Sequence, residues 1–202
     1  MVVEALKRYY GASLSHDSRE EPFRALMGCI LSQRTKDANA SRAVEALFGE
    51  ADTPQEVLAL DEATLKQLIR PSGFYNTKAS YIFAACTAIR DRFGGAVPKS
   101  REELLSIPGV GPKTADIVLS YGYGEPAIAV DTHILRVSRR LGVVGPYGTP
   151  EEAKAALEGA MPTGDYRFVD SALLQLGKDF CKQRKPECEK CPLAGQCKGC
   201  LS

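Results

Sequence analysis

Helix-start signals recur along the whole chain, and they limit its possible folds more than any other feature. Segments of the form Ser/Thr-x-x-Glu stand before apolar runs at residues 53–56, 100–103 and 149–152. In such a capping box the hydroxyl and the carboxylate each accept from backbone N–H groups of the first turn. We expect further N-caps at Asp37, Asp61 and Asp131. Since no segment alternates polar and apolar residues convincingly, the sequence predicts an all-α protein.

Composition places the chain among ordinary globular proteins. Its 202 residues can bury a proper core, and no run of 18 apolar residues is present to span a membrane. The N-terminus does not resemble a signal peptide, so we expect an intracellular protein (cytoplasm or nucleoid), monomeric and without a membrane partner. A net charge of +1 gives no global attraction to nucleic acid. The local exception is the segment 181–202, where five basic residues stand against two acidic ones; a solvated loop is the plainer interpretation.

The stretch IPGVGPKTADIV, from residue 107, carries the first candidate chemistry. Gly109, Val110 and Gly111 predict a tight turn whose backbone N–H groups could hold a phosphate, with Thr114 adding a hydroxyl; a plain structural turn is the alternative. Lys113 falls in the first turn of the next helix. There the helix dipole and partial burial would disfavour the ammonium form, and a neutral lysine forms Schiff bases with carbonyl-like carbons.

Asp131 and the cysteines complete the candidate set. Asp131 could stabilise developing positive charge and accept a proton, or simply cap its helix, and the two roles are compatible. Cys29 and Cys86 lie in apolar runs and are predicted core residues. A C-x6-C-x2-C-x5-C pattern suits an iron–sulfur cluster or a zinc ion, with Cys200 left over. Its members are Cys181, Cys188, Cys191 and Cys197.

Two of these motifs, IPGVGPKTA and VDTHILRV, resemble those of helix-hairpin-helix DNA glycosylases of the endonuclease III type, and the resemblance runs from about residue 22 to 197. It implies two helical lobes with a cleft between them, 17–123 and 1–16 with 124–202, and Lys113 and Asp131 facing each other across that cleft. It also implies a [4Fe-4S] cluster on the four cysteines. The implied function is base excision repair: N-glycosylase and abasic-site lyase action on oxidised pyrimidines, in duplex DNA with damaged bases or abasic sites.

The resemblance also assigns residues that fill the gap left by a flipped nucleotide. Phe74, in the segment G-F-Y-N-T-K, is one such wedge; an ordinary core phenylalanine is the alternative. Gln33 and Arg34 belong to the second loop. Here the chain departs from the family, which usually has glutamine where Arg34 stands. An arginine suits guanine, as in thymine-mismatch glycosylases, which however lack the lysine. Uracil or thymine removal opposite guanine is therefore the alternative function, followed by a non-catalytic DNA-binding module.

Overall fold

The structure is a computed structural model that describes residues 2–11, 13–14 and 19–201. Within those ranges all regular structure is helical, which confirms the predicted class. None of the helices described there combines the length and apolar character that crossing a bilayer requires. The chain forms two compact units. The internal unit is Arg19–Glu125; the terminal unit joins the described residues before Arg19 to those from Pro126 onward. The predicted lobe limit at 16/17 lies outside the described residues, and the lobe limits stay a prediction.

The internal unit is built around its first helix, α2 (Pro22–Ser32), whose proline occupies the first turn as predicted. Leu26, Met27, Ile30 and Leu31 of this helix are fully buried. The core residues of the neighbouring helices close over them. The helices of this unit are α2 (Pro22–Ser32), α3 (Asp37–Phe48), α4 (Pro54–Ala59), α5 (Glu62–Ile69), α6 (Tyr75–Phe93), α7 (Arg101–Leu105) and α8 (Pro112–Ile117), the last continued by a π-helical turn, Val118–Tyr123.

A helical hairpin occupies the end of the internal unit. Helices α7 and α8 are joined by the turn that contains Gly109. The Arg101 Nε donates to Asp116 Oδ1 at 2.9 Å, and the Asp116 side chain is almost completely buried. A buried carboxylate is stable only when it is paired, so this ion pair fixes the two helices against each other.

The terminal unit has its own apolar core. Its helices are α1 (Val2–Tyr10), α9 (Thr132–Leu141), α10 (Pro150–Gly159), α11 (Tyr166–Asp179) and α12 (Lys198–Leu201). Leu6, Ile134, Val137 and Leu173 are among the residues buried together there. The segment before α9 has no regular structure, and the buried Asp170 accepts from the Ala129 N–H at 2.7 Å to hold it.

The predicted helix starts are mostly confirmed. Thr53 and Thr149 form complete capping boxes, and Asp61 and Asp131 cap their helices. At Ser100 the hydroxyl accepts from the Glu103 N–H, but the Glu103 carboxylate binds that hydroxyl rather than the cap's backbone.

The prediction that Asp37 caps α3 is wrong. The helix begins at Asp37 itself, and Lys36 takes the cap position without a side-chain bond. An acidic residue in the first turn still interacts favourably with the helix dipole.

Candidate functional site

The turn between α7 and α8 requires glycine at one position and leaves the backbone open at another. Gly109 has a φ of +83°, and a Cβ there would lie 3.1 Å from the Tyr81 side chain, so only glycine fits. A Cβ on Gly111 would meet nothing within 4 Å, which leaves that backbone open to an approaching group. Val110 is different, because its N–H already donates to the Ile107 carbonyl at 3.1 Å. The Val110 N–H is therefore already used within the turn, and the open backbone at Gly111 is the better candidate for contact with an anion.

Two side chains predicted to contact DNA, Thr114 at the turn and Gln33 in the loop after α2, are placed differently. The Thr114 side chain is only 7% exposed, which favours packing over contact with an external phosphate. The Gln33 amide, from the loop after α2, donates to the Gly109 carbonyl oxygen at 3.3 Å. Gln33 therefore supports the turn from within the internal unit, a role that the sequence did not predict.

Lys113 is the second residue of α8, as predicted, but its side chain is exposed. The predicted partial burial is wrong, because Pro112 and Lys113 stand on the open side of the first turn. Lys113 interacts with the Cys29 thiol: burial raises the pKa of Cys29 to about 12, and the interaction with Lys113 opposes that rise. Cys29 is thus a half-buried neighbour of Lys113 rather than the core residue expected, whereas Cys86 is buried as predicted.

Asp131 is held rigidly at the start of α9. Its Oδ1 accepts from the backbone N–H groups of His133 and Ile134, both at 2.8 Å. Two charge-assisted bonds to one oxygen fix the carboxylate and leave its other oxygen outside the cap. The His133 ring lies against Gly177 of α11, and its Nδ1 is 3.0 Å from the Arg136 guanidinium. His133 therefore belongs to a packed polar network.

Arg34 and Phe74 share an uncommon backbone conformation. Both are non-glycine residues with positive φ, 52° and 48°, in loops of the internal unit. Both are exposed, and 64% of the Phe74 surface is open to solvent. Left-handed conformations of bulky residues store strain of roughly 1–3 kcal/mol and concentrate at functional sites. Phe74 is thus not the core phenylalanine of the alternative interpretation.

The four C-terminal cysteines of the pattern line one cavity in the terminal unit. Cys181, Cys188, Cys191 and Cys197 surround it together with apolar side chains that include Val137, Leu176 and Leu193. Burial raises the pKa of the Cys191 thiol, and the other three cysteines act in the same direction, so all four lie close to one another. The side chain of Cys200 lies outside the part of the chain that the structure describes.

Arginines of α9 hold the beginning of this cysteine segment. Arg140 Nη1 donates to Cys181 Sγ at 3.2 Å and to the Lys182 carbonyl at 2.8 Å. Arg136 Nε donates to the Cys181 carbonyl at 2.7 Å. Neither arginine was predicted from the sequence. Their four-residue spacing, which places them on one face of α9, was the available signal.

The positive charge of the C-terminal segment, the candidate basic face, is partly neutralised. Lys182 and Lys190 both pair with the carboxylate of Glu187. Arg184 and Lys185 are exposed, and among the described residues they have no ion-pair partner. Fewer basic side chains of this segment are therefore available to an external partner than the sequence suggested.

Comparison with known proteins identifies the family. The model of the HhH-GPD superfamily of base excision DNA repair proteins matches residues 27–163. Endonuclease III of Thermotoga maritima is 41% identical over 197 residues, 97% of this chain and 92% of that protein. Endonuclease III of Bacillus subtilis is 37% identical over 177 residues, 88% of this chain and 81% of that protein.

Solved structures agree with the sequence relatives. A trapped covalent endonuclease III–DNA intermediate superposes with a TM-score of 0.89 at 33% identity, covering 98% of this chain and 93% of that one. A non-covalent endonuclease III–DNA complex gives 0.90 at 32% identity, covering 99% and 94%. A thermostable thymine-DNA glycosylase gives 0.86 at 23% identity, over 99% of this chain and 95% of that one, and shares the fold.

The fold and the hairpin thus define a helix-hairpin-helix protein of base excision DNA repair. The chain belongs to the endonuclease III family within the HhH-GPD superfamily. It is a DNA-binding enzyme, a DNA glycosylase with abasic-site lyase activity. The alternative of a non-catalytic DNA-binding module is therefore not supported.

Proposed function

We propose that this enzyme removes oxidised pyrimidines from duplex DNA and then cleaves the resulting abasic site, with Lys113 as nucleophile and Asp131 as its carboxylate partner. The observation that carries the proposal is the presence of lysine at position 113, at the start of the helix that follows the hairpin. A glycosylase that uses water can stop at the abasic site, whereas an amine nucleophile leads on to strand cleavage. The relative trapped as a covalent intermediate with DNA supports the same chemistry.

The reaction begins with a damaged nucleotide rotated out of the duplex. The bond between C1′ and the base breaks, the base leaves with the bonding electrons, and positive charge develops on the sugar. The Asp131 carboxylate stabilises that charge, and its two backbone hydrogen bonds hold it still while it does so. The Lys113 amine forms a new bond to C1′ and loses a proton, for which a carboxylate is the natural acceptor.

Strand cleavage follows from the same covalent bond. The C1′–O4′ bond then breaks and the nitrogen proton passes to O4′, which opens the ring and leaves an imine with nitrogen doubly bonded to C1′. The imine acidifies the C2′ hydrogen, a base removes that proton, and the C3′–oxygen bond breaks with departure of the 3′ phosphate. Water then hydrolyses the imine and returns the free Lys113 amine.

The hairpin would grip the DNA without reading its sequence. We assign the phosphate contact to the backbone of Gly109, Val110 and Gly111, with the open surface at Gly111 as the point of closest approach. Thr114 lies in the first turn of α8, directly after the hairpin turn, and its burial favours a supporting role there. Gln33 would act through its bond to the Gly109 carbonyl oxygen.

Arg34 and Phe74 are the proposed wedge residues. Both are exposed and both carry strained backbone, which fits side chains that must enter the base stack. Arg34 also carries the second candidate function, removal of uracil or thymine opposite guanine, because a guanidinium can bind guanine in two places. The fold shared with a thymine-DNA glycosylase is compatible with either specificity.

The four cysteines of the C-terminal cavity fit a [4Fe-4S] cluster. A single zinc ion needs four ligand atoms within about 2.3 Å of one point, and a cubane accepts thiolates that are farther apart. All four cysteines line one apolar cavity of the terminal unit, and such a sheltered setting suits a cluster held by four thiolates. Such a cluster would order the segment between Cys181 and Cys197 for contact with DNA.

A lesion panel tests the specificity. Single-turnover excision would be measured on thymine glycol paired with adenine and on thymine or uracil paired with guanine. The proposal predicts faster excision of thymine glycol, and faster excision from the mismatches would favour the second function.

We also propose that the protein acts on intracellular DNA as a monomer. Analytical ultracentrifugation with and without damaged duplex measures the oligomeric state. A brown protein with about four irons per chain would support the cluster, and a colourless zinc protein would contradict it.

A further inference from the structure

A buried lysine of α6 connects the two loops that carry the strained residues. Lys78 is 3% exposed, and its Nζ donates three hydrogen bonds. The acceptors are the Leu31 carbonyl at 2.7 Å, the Thr35 hydroxyl at 2.7 Å and the Ser72 carbonyl at 2.9 Å. An ammonium group has three protons, so its donor capacity is used completely.

The three acceptors belong to different segments of the internal unit. Leu31 lies at the end of α2, and Thr35 is the residue after Arg34. Ser72 is separated from Phe74 only by Gly73, and the Thr35 hydroxyl also donates to the Ser72 carbonyl oxygen. One nitrogen atom therefore joins the loop of Arg34 to the loop of Phe74.

Making these contacts with Lys78 costs free energy, because the ammonium group must be removed from water. All three acceptors are neutral oxygens, and among the described residues no carboxylate pairs with this side chain. Burial accordingly lowers the pKa of Lys78. Closing the end of α2 alone would need only one donor, which an exposed side chain could supply without desolvation.

We propose that Lys78 is a positioning residue that fixes the two loops as one preassembled wedge, so that Arg34 and Phe74 enter the base stack together. The proposal rests on the wedge roles given above for these two residues. Opening a duplex requires several side chains to occupy the gap at once. Loops that are already fixed relative to each other do not lose further conformational entropy when the DNA binds. The strained conformations at Arg34 and Phe74 are then maintained by the bonds that Lys78 makes to their neighbours.

The test compares a substrate that must be opened with one that needs no opening. Single-turnover cleavage by Lys78→Met is measured on an abasic site in duplex DNA and in a single-stranded oligonucleotide. A 2-aminopurine opposite the site in the duplex reports disruption of the stack. Ile89→Ala, at a fully buried position of the same helix, is the matched control because it destabilises α6 without touching either loop.

We expect Lys78→Met to slow duplex cleavage by about tenfold or more, to lose the 2-aminopurine signal, and to leave single-stranded cleavage within about twofold. Ile89→Ala should keep the wild-type ratio of the two rates. An unchanged ratio and signal in folded Lys78→Met, or an equal loss on both substrates, overturns the proposal. If that variant does not fold, Thr35→Val removes one of the three acceptors and must shift the ratio in the same direction. A wild-type protein that cleaves neither substrate refutes the proposed function instead.

Discussion

The side-chain amide of Gln33 donates to the carbonyl oxygen of Gly109 at 3.3 Å. These residues are 76 positions apart in the chain, and their bond ties the loop after α2 to the hairpin turn. The loop that carries Arg34 and the turn that would hold the DNA backbone are therefore parts of one hydrogen-bonded structure. A substitution at Gln33 should therefore weaken the binding of DNA without slowing the chemical step.

Replacement of Gln33 by alanine tests this link. One side-chain hydrogen bond contributes about 0.5–1.5 kcal/mol, which corresponds to roughly twofold to tenfold weaker binding of a duplex with a stable abasic analogue. The dependence of binding on salt should not change, because no charge is removed. Fluorescence anisotropy at two salt concentrations measures both quantities. Ser32→Ala is the control, since Ser32 donates only within its own helix; an equal loss there would argue against a specific role for Gln33.

Replacement of Arg140 by methionine tests the contact with Cys181. In the proposed [4Fe-4S] cluster Cys181 would be a ligand, and a hydrogen bond to a ligand sulfur stabilises the reduced state. Its loss should therefore lower the midpoint potential by about 50 mV and speed release of iron to a chelator. Protein-film voltammetry and iron analysis provide the measurements. Arg139→Met is the matched control, because Arg139 donates to the Gly148 carbonyl instead. Unchanged potential and iron retention in Arg140→Met would show that the contact has no effect on the cluster.

Substitution of Asp131 can distinguish its role as a helix cap from its role in the reaction. Asp131→Asn keeps an oxygen that can accept from the His133 and Ile134 amides, and it removes the charge. We expect little change in the free energy of unfolding and a loss of excision rate of about 10²–10⁴-fold. Thr149→Ala removes another cap of the same unit and should cost about 1 kcal/mol of stability without loss of activity. Urea unfolding and single-turnover excision distinguish the outcomes, and normal excision by Asp131→Asn would remove Asp131 from the mechanism.

The lowered pKa of Lys78 predicts how stability depends on pH. Between the folded pKa and the unfolded value of about 10.4, the unfolded chain binds more protons than the folded one. Stability therefore rises with pH through that window, because the buried charge is lost there. Below the window both states are protonated and the unfavourable effect of burial is constant. From pH 7 to pH 10, the free energy of unfolding of wild type should rise relative to that of Lys78→Met, as measured by urea titrations at both pH values. A fall relative to the variant would contradict the lowered pKa.

Local features of this protein could be predicted from its sequence, and features that depend on distant residues could not. The caps at Thr53, Asp61 and Thr149 are set by residues within one helical turn. Cysteine spacing was enough to select the residues that line the C-terminal cavity. The exposure of Lys113 was predicted wrongly because burial is a tertiary property.

Residues whose hydrogen bonds join distant segments could not be predicted from the sequence either. The bonds of Lys78 reach 47 and 43 residues along the chain, and no periodicity signals such contacts. Arg140 lies 41 residues from Cys181. Asp37 was misplaced by one position because the preceding loop delivers Lys36, not Asp37, to the cap. Helix boundaries at loops with strained backbone are the least accessible to pattern analysis.

Trapping with borohydride tests the central role of Lys113 most directly, because the hydride converts the imine between enzyme and sugar into a stable amine. Exposure of Lys113 means that Lys113→Gln should fold normally, with a stability change within about 0.5 kcal/mol. We predict that wild type incubated with duplex DNA containing thymine glycol gives a covalent adduct, that mass spectrometry places the sugar remnant on Lys113, and that Lys113→Gln gives none. Undiminished trapping by Lys113→Gln, or an adduct mapped to another amine, would contradict the account.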